Sequence, residues 1–357
     1  MLSTTGHKFE FRLVTRMRVI GICAVFLAAV VTAMVMAILW GPTEINLTQA
    51  LWGTTSPNFD RIVLVQERIP RVVLAASVGA SLSVVGTAFQ ALMQNPLADP
   101  FILGTSGGAA LGATILLSMG LSSTVIAGVW IPLLPFGAFG GAVLSLLIVY
   151  GLSVGYGRLS AYRILLIGVV FNFFASAVIM FLKMAVQSTK AQEMLLWLMG
   201  SLSLDRITWT ELGISWGITL FGTIFLFFCG RELNVVSLGD EGATNLGVDL
   251  ERIRRRIFVV SSILVGAAVS ITGLLGFIGL IVPHALRLVF GSDHRLLIPL
   301  SALAGAGFLV ICDFLARWMF PWLLTEAPVG LITAFVGGPT FVWLLLRDKT
   351  LTRGSNA

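Results

Sequence analysis

The sequence predicts an all-α integral membrane protein with about ten transmembrane helices and both termini in the cytoplasm. Three observations predict it. The 357 residues are 57% hydrophobic and only 11% charged, with a mean hydropathy of +0.96, far from the roughly 25% charge of a soluble domain. Apolar runs close to the 20 residues that a 30 Å bilayer core requires recur along the chain. The basic residues fall mainly on one side of those runs, as the positive-inside rule demands.

The first run, Val19 to Trp40, follows Lys8, Arg12, Arg16 and Arg18. It is longer than the apolar region of a signal peptide, and no small-residue cleavage site follows it, so it is taken as the first membrane helix. The next runs are Val72 to Met93, Phe101 to Met119, Ile131 to Val154, Ile164 to Val186, Trp209 to Cys229 and Ile257 to Ile271. A shorter one from Leu274 to Phe290 precedes Leu297 to Phe320 and Val329 to Leu346. None shows the polar alternation of barrel strands. With the N-terminus inside, sixteen of the 23 Lys and Arg residues fall on the cytoplasmic side. The formal charge of +6 therefore records membrane orientation rather than affinity for nucleic acid.

Nothing divides the chain into separate units. It reads as a cytoplasmic segment 1–18, a single transmembrane domain 19–347 with an inside loop near 231–256, and a cytoplasmic tail 348–357. Cys23, Cys229 and Cys312 lie in apolar runs without metal-ligand spacing, so neither a disulfide nor a metal site is expected. Rows of small residues such as Ser77, Gly79, Ala80, Ser81, Ser83 and Gly86 let membrane helices approach closely.

One segment cannot be a continuous helix. Gln90-Ala-Leu-Met-Gln-Asn-Pro-Leu-Ala-Asp-Pro-Phe-Ile-Leu-Gly-Thr-Ser-Gly-Gly-Ala109 carries Pro96 and Pro100, which lack an N–H, and Asp99, which can cap a helix beginning near Phe101. By itself it could be an ordinary inside turn.

The string also resembles the signature of permease subunits of type II ATP-binding-cassette importers for iron-siderophores, haem and vitamin B12, the FecCD/BtuC-like family. Six more blocks keep the family's order: Arg68-Ile-Pro-Arg71, Leu238-Gly-Asp-Glu-Gly-Ala-Thr-Asn-Leu-Gly-Val248, Gly276-Phe-Ile-Gly-Leu-Ile-Val-Pro-His284, Asp293-His-Arg295, Asp313-Phe-Leu-Ala-Arg317 and Ala327-Pro-Val-Gly330. The resemblance implies the ten-helix fold and a permease dimer around a central pathway. It implies ATPase coupling through Leu238, Gly239, Asp240, Glu241, Leu246, Gly247 and Arg252. It implies that Arg68, Arg71 and Arg317 meet acidic residues of a periplasmic binding protein; an ion pair of Arg317 with Asp313, one turn earlier, is the plainer reading for that residue. Gates are implied at Asn95 and Leu97 and at Ala161 and Tyr162, where Tyr162 is bulkier than the small polar residue expected. Asn172, Ser176, Met180 and Met184 share a face of the fifth span and are expected on the pathway, although such a stripe is as often packing.

Further partners follow from the resemblance: cytoplasmic ATPase subunits, a second permease chain and the surrounding lipid of a bacterial inner membrane. No string of the form G-x-x-x-x-G-K-[ST] occurs in the chain. ATP and Mg are therefore expected on the partner ATPase, no cofactor on this chain, and no enzymatic activity of its own. A ferric siderophore is the preferred cargo, with cobalamin and haem as alternatives. Two other classes compete. An ion-coupled secondary transporter needs an acidic group near the midplane, and only Asp313 lies within a span. An intramembrane serine protease would use Ser106, in Gly104-Thr-Ser-Gly107, with His284, but both residues already belong to the permease blocks.

Overall fold

A computed structural model describes residues 16–53, 57–126, 129–154, 161–202, 208–245, 249–319 and 327–347. Helix α1 (Arg16–Leu39) and the short α2 (Leu47–Trp52) lead to α3 (Phe59–Ile62), a π-helical stretch (Val63–Arg68) and α4 (Ile69–Leu92). A 3-10 turn (Pro100–Leu103) precedes α5 (Thr105–Met119), and a hairpin of β1 (Ser123–Ile126) and β2 (Val129–Pro132) joins it to α6 (Leu134–Val154). Then come α7 (Ala161–Ala185), α8 (Ser188–Leu198), α9 (Trp209–Phe228), α10 (Gly230–Val236), α11 (Asp240–Asn245), α12 (Leu250–Thr272), α13 (Ile278–Phe290), α14 (His294–Trp318) and α15 (Val329–Arg347). Among the described residues, seven helices are long and apolar enough to cross a membrane, and α5, α13 and α15 are shorter apolar helices.

Several expected boundaries move, each for a local reason. The second span starts at Phe59, not Val72, and runs unbroken for 34 residues to Leu92. Arg68-Ile-Pro-Arg71 thus lies inside it. Pro70 has no N–H to give, and just before it the ladder lengthens, the Ile69 N–H reaching the Leu64 carbonyl. The third span begins at Thr105 rather than Phe101: Asp99 accepts from the Phe101 N–H at 2.7 Å, but the turn it caps is 3-10. Gly104, at φ +88°, then restarts the α-helix in a conformation that glycine adopts without strain. The fourth span begins at Leu134, since Ile131 and Pro132 belong to the hairpin, which an all-helical expectation leaves out. The eighth begins at Ile278, after non-helical residues 273–276 and a left-handed Phe277. The seventh begins at Leu250, so Arg252 stands in its first turn rather than in a loop.

α4 occupies the centre of the bundle. It packs on α9, α12, α13 and α14, and 94% of its apolar window is buried. Small residues permit this. A Cβ on Gly79 would strike the Gly305 carbonyl, and one on Gly305 would strike Ser83 and the Gly79 carbonyl, so α4 and α14 meet backbone to backbone. Hydroxyls add polar contacts: Ser77 bonds Ser215 at 2.8 Å and Thr219 at 2.9 Å, Ser81 bonds Thr219 at 2.7 Å, and Thr87 donates to Ser301 at 2.7 Å. Each satisfies a polar group where lipid or packed apolar side chains offer no alternative. α5, α6 and α7 form a second layer, with α12 packed against both α4 and α6.

Leucine at position 79 therefore has no room. Gly79→Leu is expected to destabilise the bundle by about 3 kcal/mol or more, seen as a lower melting temperature and aggregation in detergent gel filtration. Gly213→Leu, where a Cβ meets nothing within 4 Å, should leave both unchanged.

Candidate transport pathway and coupling surface

α7 places Asn172, Ser176 and Met180 along one stripe, at intervals of four residues. Together with Ser106, Gly107 and Ala110 of α5, Ile179 and Lys183 of α7, Leu198 of α8 and Leu274, they line a cleft of about 360 Å³. The broken segment before α5 anchors two of the lining residues. The Phe101 carbonyl, freed by the 3-10 turn, accepts from Asn172 Nδ2 at 2.9 Å and from Ser106 Oγ at 3.0 Å. Gly107 leaves the space that the Asn172 amide fills. Three residues expected on the pathway thus share one surface with α5. Met184 is highly exposed near the end of the same helix.

Just before the 3-10 turn, the loop from Met93 to Asp99 is tightly bonded. Asn95 Oδ1 accepts from the Leu97 N–H at 2.9 Å, and Asn95 and Leu97 are half-buried. Gln94, at φ +50°, donates from Nε2 to the Val236 carbonyl at 3.2 Å, tying this loop to the end of α10. Ala161 and Tyr162 open α7, and Tyr162 is 74% exposed.

α10 has a second attachment that sequence reading missed. Asn234 donates from Nδ2 to Asp293 Oδ1 at 2.9 Å, and its Oδ1 accepts from the His294 N–H at 2.9 Å and lies 2.7 Å from His294 Nδ1. One amide thereby binds α10 to the start of α14. Burial pushes the Asp293 carboxyl up, but hydrogen bonds from Arg295 and Asn234 outweigh it and hold it at about 2. The Asp293-His-Arg295 block signalled importance; its partner, 59 residues earlier, carried no sequence signal. Beyond α10, Leu238 is 68% exposed and Gly239 turns at φ +99° into α11, which begins with Asp240 and Glu241. Leu246 and Gly247 lie outside the described residues. Arg252 is exposed and pairs with Asp249 at 3.4 Å.

The three arginines expected to face a binding protein are turned inward. Arg68 is 5% exposed and donates to the carbonyls of Ile38 (3.0 Å), Leu39 (3.1 Å) and Thr43, closing the end of α1. Arg71 and Arg317 both pair with the fully buried Asp313, at 2.8 and 3.1 Å. The i, i+4 pair on α14 is therefore the buried one, and it extends to α4. The serine protease reading finds no support: Ser106 bonds a backbone carbonyl, and the His284 ring packs edge-on against Phe341 on α15.

Among the described residues the chain is a bundle of membrane-length helices with a mixed polar and apolar cleft lined by α5, α7 and α8. The chain belongs to the FecCD transport family, whose model matches residues 21–347. Among its relatives are an uncharacterised ABC transporter permease of Bacillus subtilis, 41% identical over 83% of this chain and 82% of that one, and the hemin transport system permease of Yersinia pestis, 38% identical over 86% and 90%. The cobalamin import system permease of Halobacterium salinarum is 41% identical over 82% and 75%. A solved structure described as a metal-chelate type ABC transporter in an inward-facing conformation matches with a TM-score of 0.78, at 27% identity over 92% of this chain and 99% of that one.

Two outcomes test the electrostatics. Asp313→Ala leaves two guanidiniums without the carboxylate that both use, and should cost about 3 to 5 kcal/mol of stability, read as loss of folded protein in detergent. Asp99 behaves oppositely to Asp293: burial pushes its carboxyl up to about 6, against the lowering bond from the Phe101 N–H. With the folded value above the ordinary 3.8, the fold favours the protonated form. Stability from this group is greatest below about pH 4 and falls by about 2 to 3 kcal/mol as pH rises through about 6. Asp99→Asn keeps the capping acceptor and should remove that fall from a melting-temperature profile between pH 4 and 8.

Proposed function

We propose that this chain is the permease subunit of an ATP-driven importer that moves a metal-bearing chelate into the cytoplasm. The observation that carries this reading is the α7 cleft. Its Asn, Ser and Met lining offers many weak contacts and no strong one, which suits a path that a bulky solute must enter and leave. Two permease chains pair around the path, each contributing α7, whose apolar window is only 17% buried within one chain. Names of relatives that include hemin, cobalamin and iron chelatin point to an iron chelate, haem or cobalamin as cargo. A binding protein delivers it from outside. ATP and Mg act on separate cytoplasmic subunits, and both termini of this chain lie in the cytoplasm of a bacterial cell.

Coupling follows from the bonds at the ends of α10. The ATPase meets the exposed turn at Leu238 and Gly239 and the start of α11 at Asp240 and Glu241. Displacement of α10 then pulls on α14 through Asn234 and on the gate loop at Asn95 and Leu97 through Gln94. Ala161 and Tyr162, at the start of α7, form the neighbouring gate. Arg68, Arg71 and Arg317 shape the outer face from within, holding α1, α4 and α14 in the arrangement that a binding protein meets.

The test is uptake by proteoliposomes holding the permease with its ATPase and a loaded binding protein. ATP-dependent uptake should disappear when Asp240 and Glu241 are both replaced by Lys, together with retention of the ATPase. Asn234→Leu should keep ATP hydrolysis near normal while cutting uptake by about tenfold or more, the signature of a broken link rather than a lost partner. Uptake that follows an ion gradient and ignores ATP would overturn the reading.

A further inference from the structure

The α7 stripe does not end at Met180. Lys183 continues it, eleven residues and about 16 Å of helix beyond Asn172, and it lines the same cleft as Asn172, Ser176 and Ser106. It is half-buried, and among the described residues it is the one charged side chain in the lining, with no Asp or Glu there. The other lysine at this end, Lys190, already donates to the Ser118 carbonyl at 3.3 Å. Lys183 has no hydrogen-bond or ion-pair partner among the described residues.

A lysine in the last turn of a helix is favoured by the dipole and can extend toward lipid headgroups. Neither effect requires it to line a cleft shared with α5. An ammonium that lines a cleft with no counter-ion among the described residues is placed to meet an anion there, and partial burial of the residue strengthens that attraction over the value in bulk water. Its position at the end of the cleft farthest from the Asn95 loop is the mouth through which cargo enters in the importer reading.

We propose that Lys183 is an anion-recognising position at the outer mouth of the pathway, and that the cargo is a negatively charged metal chelate bearing carboxylate or catecholate groups. The inference rests on the importer reading and adds the charge of what is moved. Attraction here is selective and weak: one ammonium on a flexible stem offers steering and a point contact, with no bidentate grip that would trap the solute.

The experiment uses the reconstituted complex with binding proteins loaded in turn with haem, which carries two propionates, a ferric tris-catecholate, which is anionic, and cyanocobalamin, which has no net charge. One anionic cargo should be taken up, at a rate about tenfold lower in Lys183→Met and restored in Lys183→Arg, with ATP hydrolysis unchanged. Raising the salt concentration should narrow the difference between wild type and Lys183→Met. Equal uptake of the anionic cargo by wild type and Lys183→Met overturns the proposal, as does cyanocobalamin proving to be the cargo. Failure of both variants together with lost ATP hydrolysis assigns Lys183 a structural role and also overturns it. If the unaltered complex takes up none of the three with ATP, the importer reading itself falls and this inference with it.

Discussion

The bundle depends on how closely α4 approaches its neighbours. A helix with 94% of its apolar window buried gains nothing from lipid and must be held by contacts with protein. In a membrane those contacts are dispersion and hydrogen bonding, because lipid tails are as apolar as leucine. Gly79 against Gly305 brings backbones together so that many atoms touch, and Ser77, Ser81 and Thr87 each find a hydroxyl partner on α9 or α14. Close approach and polar satisfaction are the same requirement here, since a hydroxyl reaches across only where the helices nearly touch.

A rigid centre lets the periphery serve transport. α7 and α1 bury only 17% and 11% of their apolar windows, so their outward faces meet lipid or another chain. One stretch of irregular backbone adjoins the cleft. The turn at Pro100–Leu103 frees the Phe101 carbonyl for Asn172 and Ser106. Broken helices are tolerated in a membrane protein when their polar groups are satisfied by protein, and here Asn172 and Ser106 satisfy the Phe101 carbonyl. Asp313 shows the same economy at the other end of the bundle, one carboxylate serving two guanidiniums from two helices.

Much of this was legible in the chain because it is set locally. The length of an apolar run decides whether a helix can span, whatever its neighbours. Pro96, Pro100 and Asp99 announced a break, and the spacing of Asn172, Ser176 and Met180 announced a shared face. The boundaries were less legible. The second apolar run reads as starting at Val72, yet a π-helical stretch extends the helix back to Phe59, and the arginines on either side of Pro70 are engaged by α1 and α14. The hairpin before α6 had no alternation distinct from the apolar run beside it.

The sequence by itself determined that the protein is a helical membrane bundle, that the chain breaks around Pro96 and Pro100, and which stripe of the fifth span is mixed in character. These follow from the cost of exposing peptide groups to lipid and from the 3.6-residue repeat, both properties of short segments. Only the tertiary structure decided that Arg68, Arg71 and Arg317 face inward, that Asn234 joins α10 to α14, and that Lys183 shares a cleft with α5. Each of those depends on which of two distant segments lies within hydrogen-bond or van der Waals reach of the other. Residues 59 or 242 positions apart carry no mark of each other until packing brings them together.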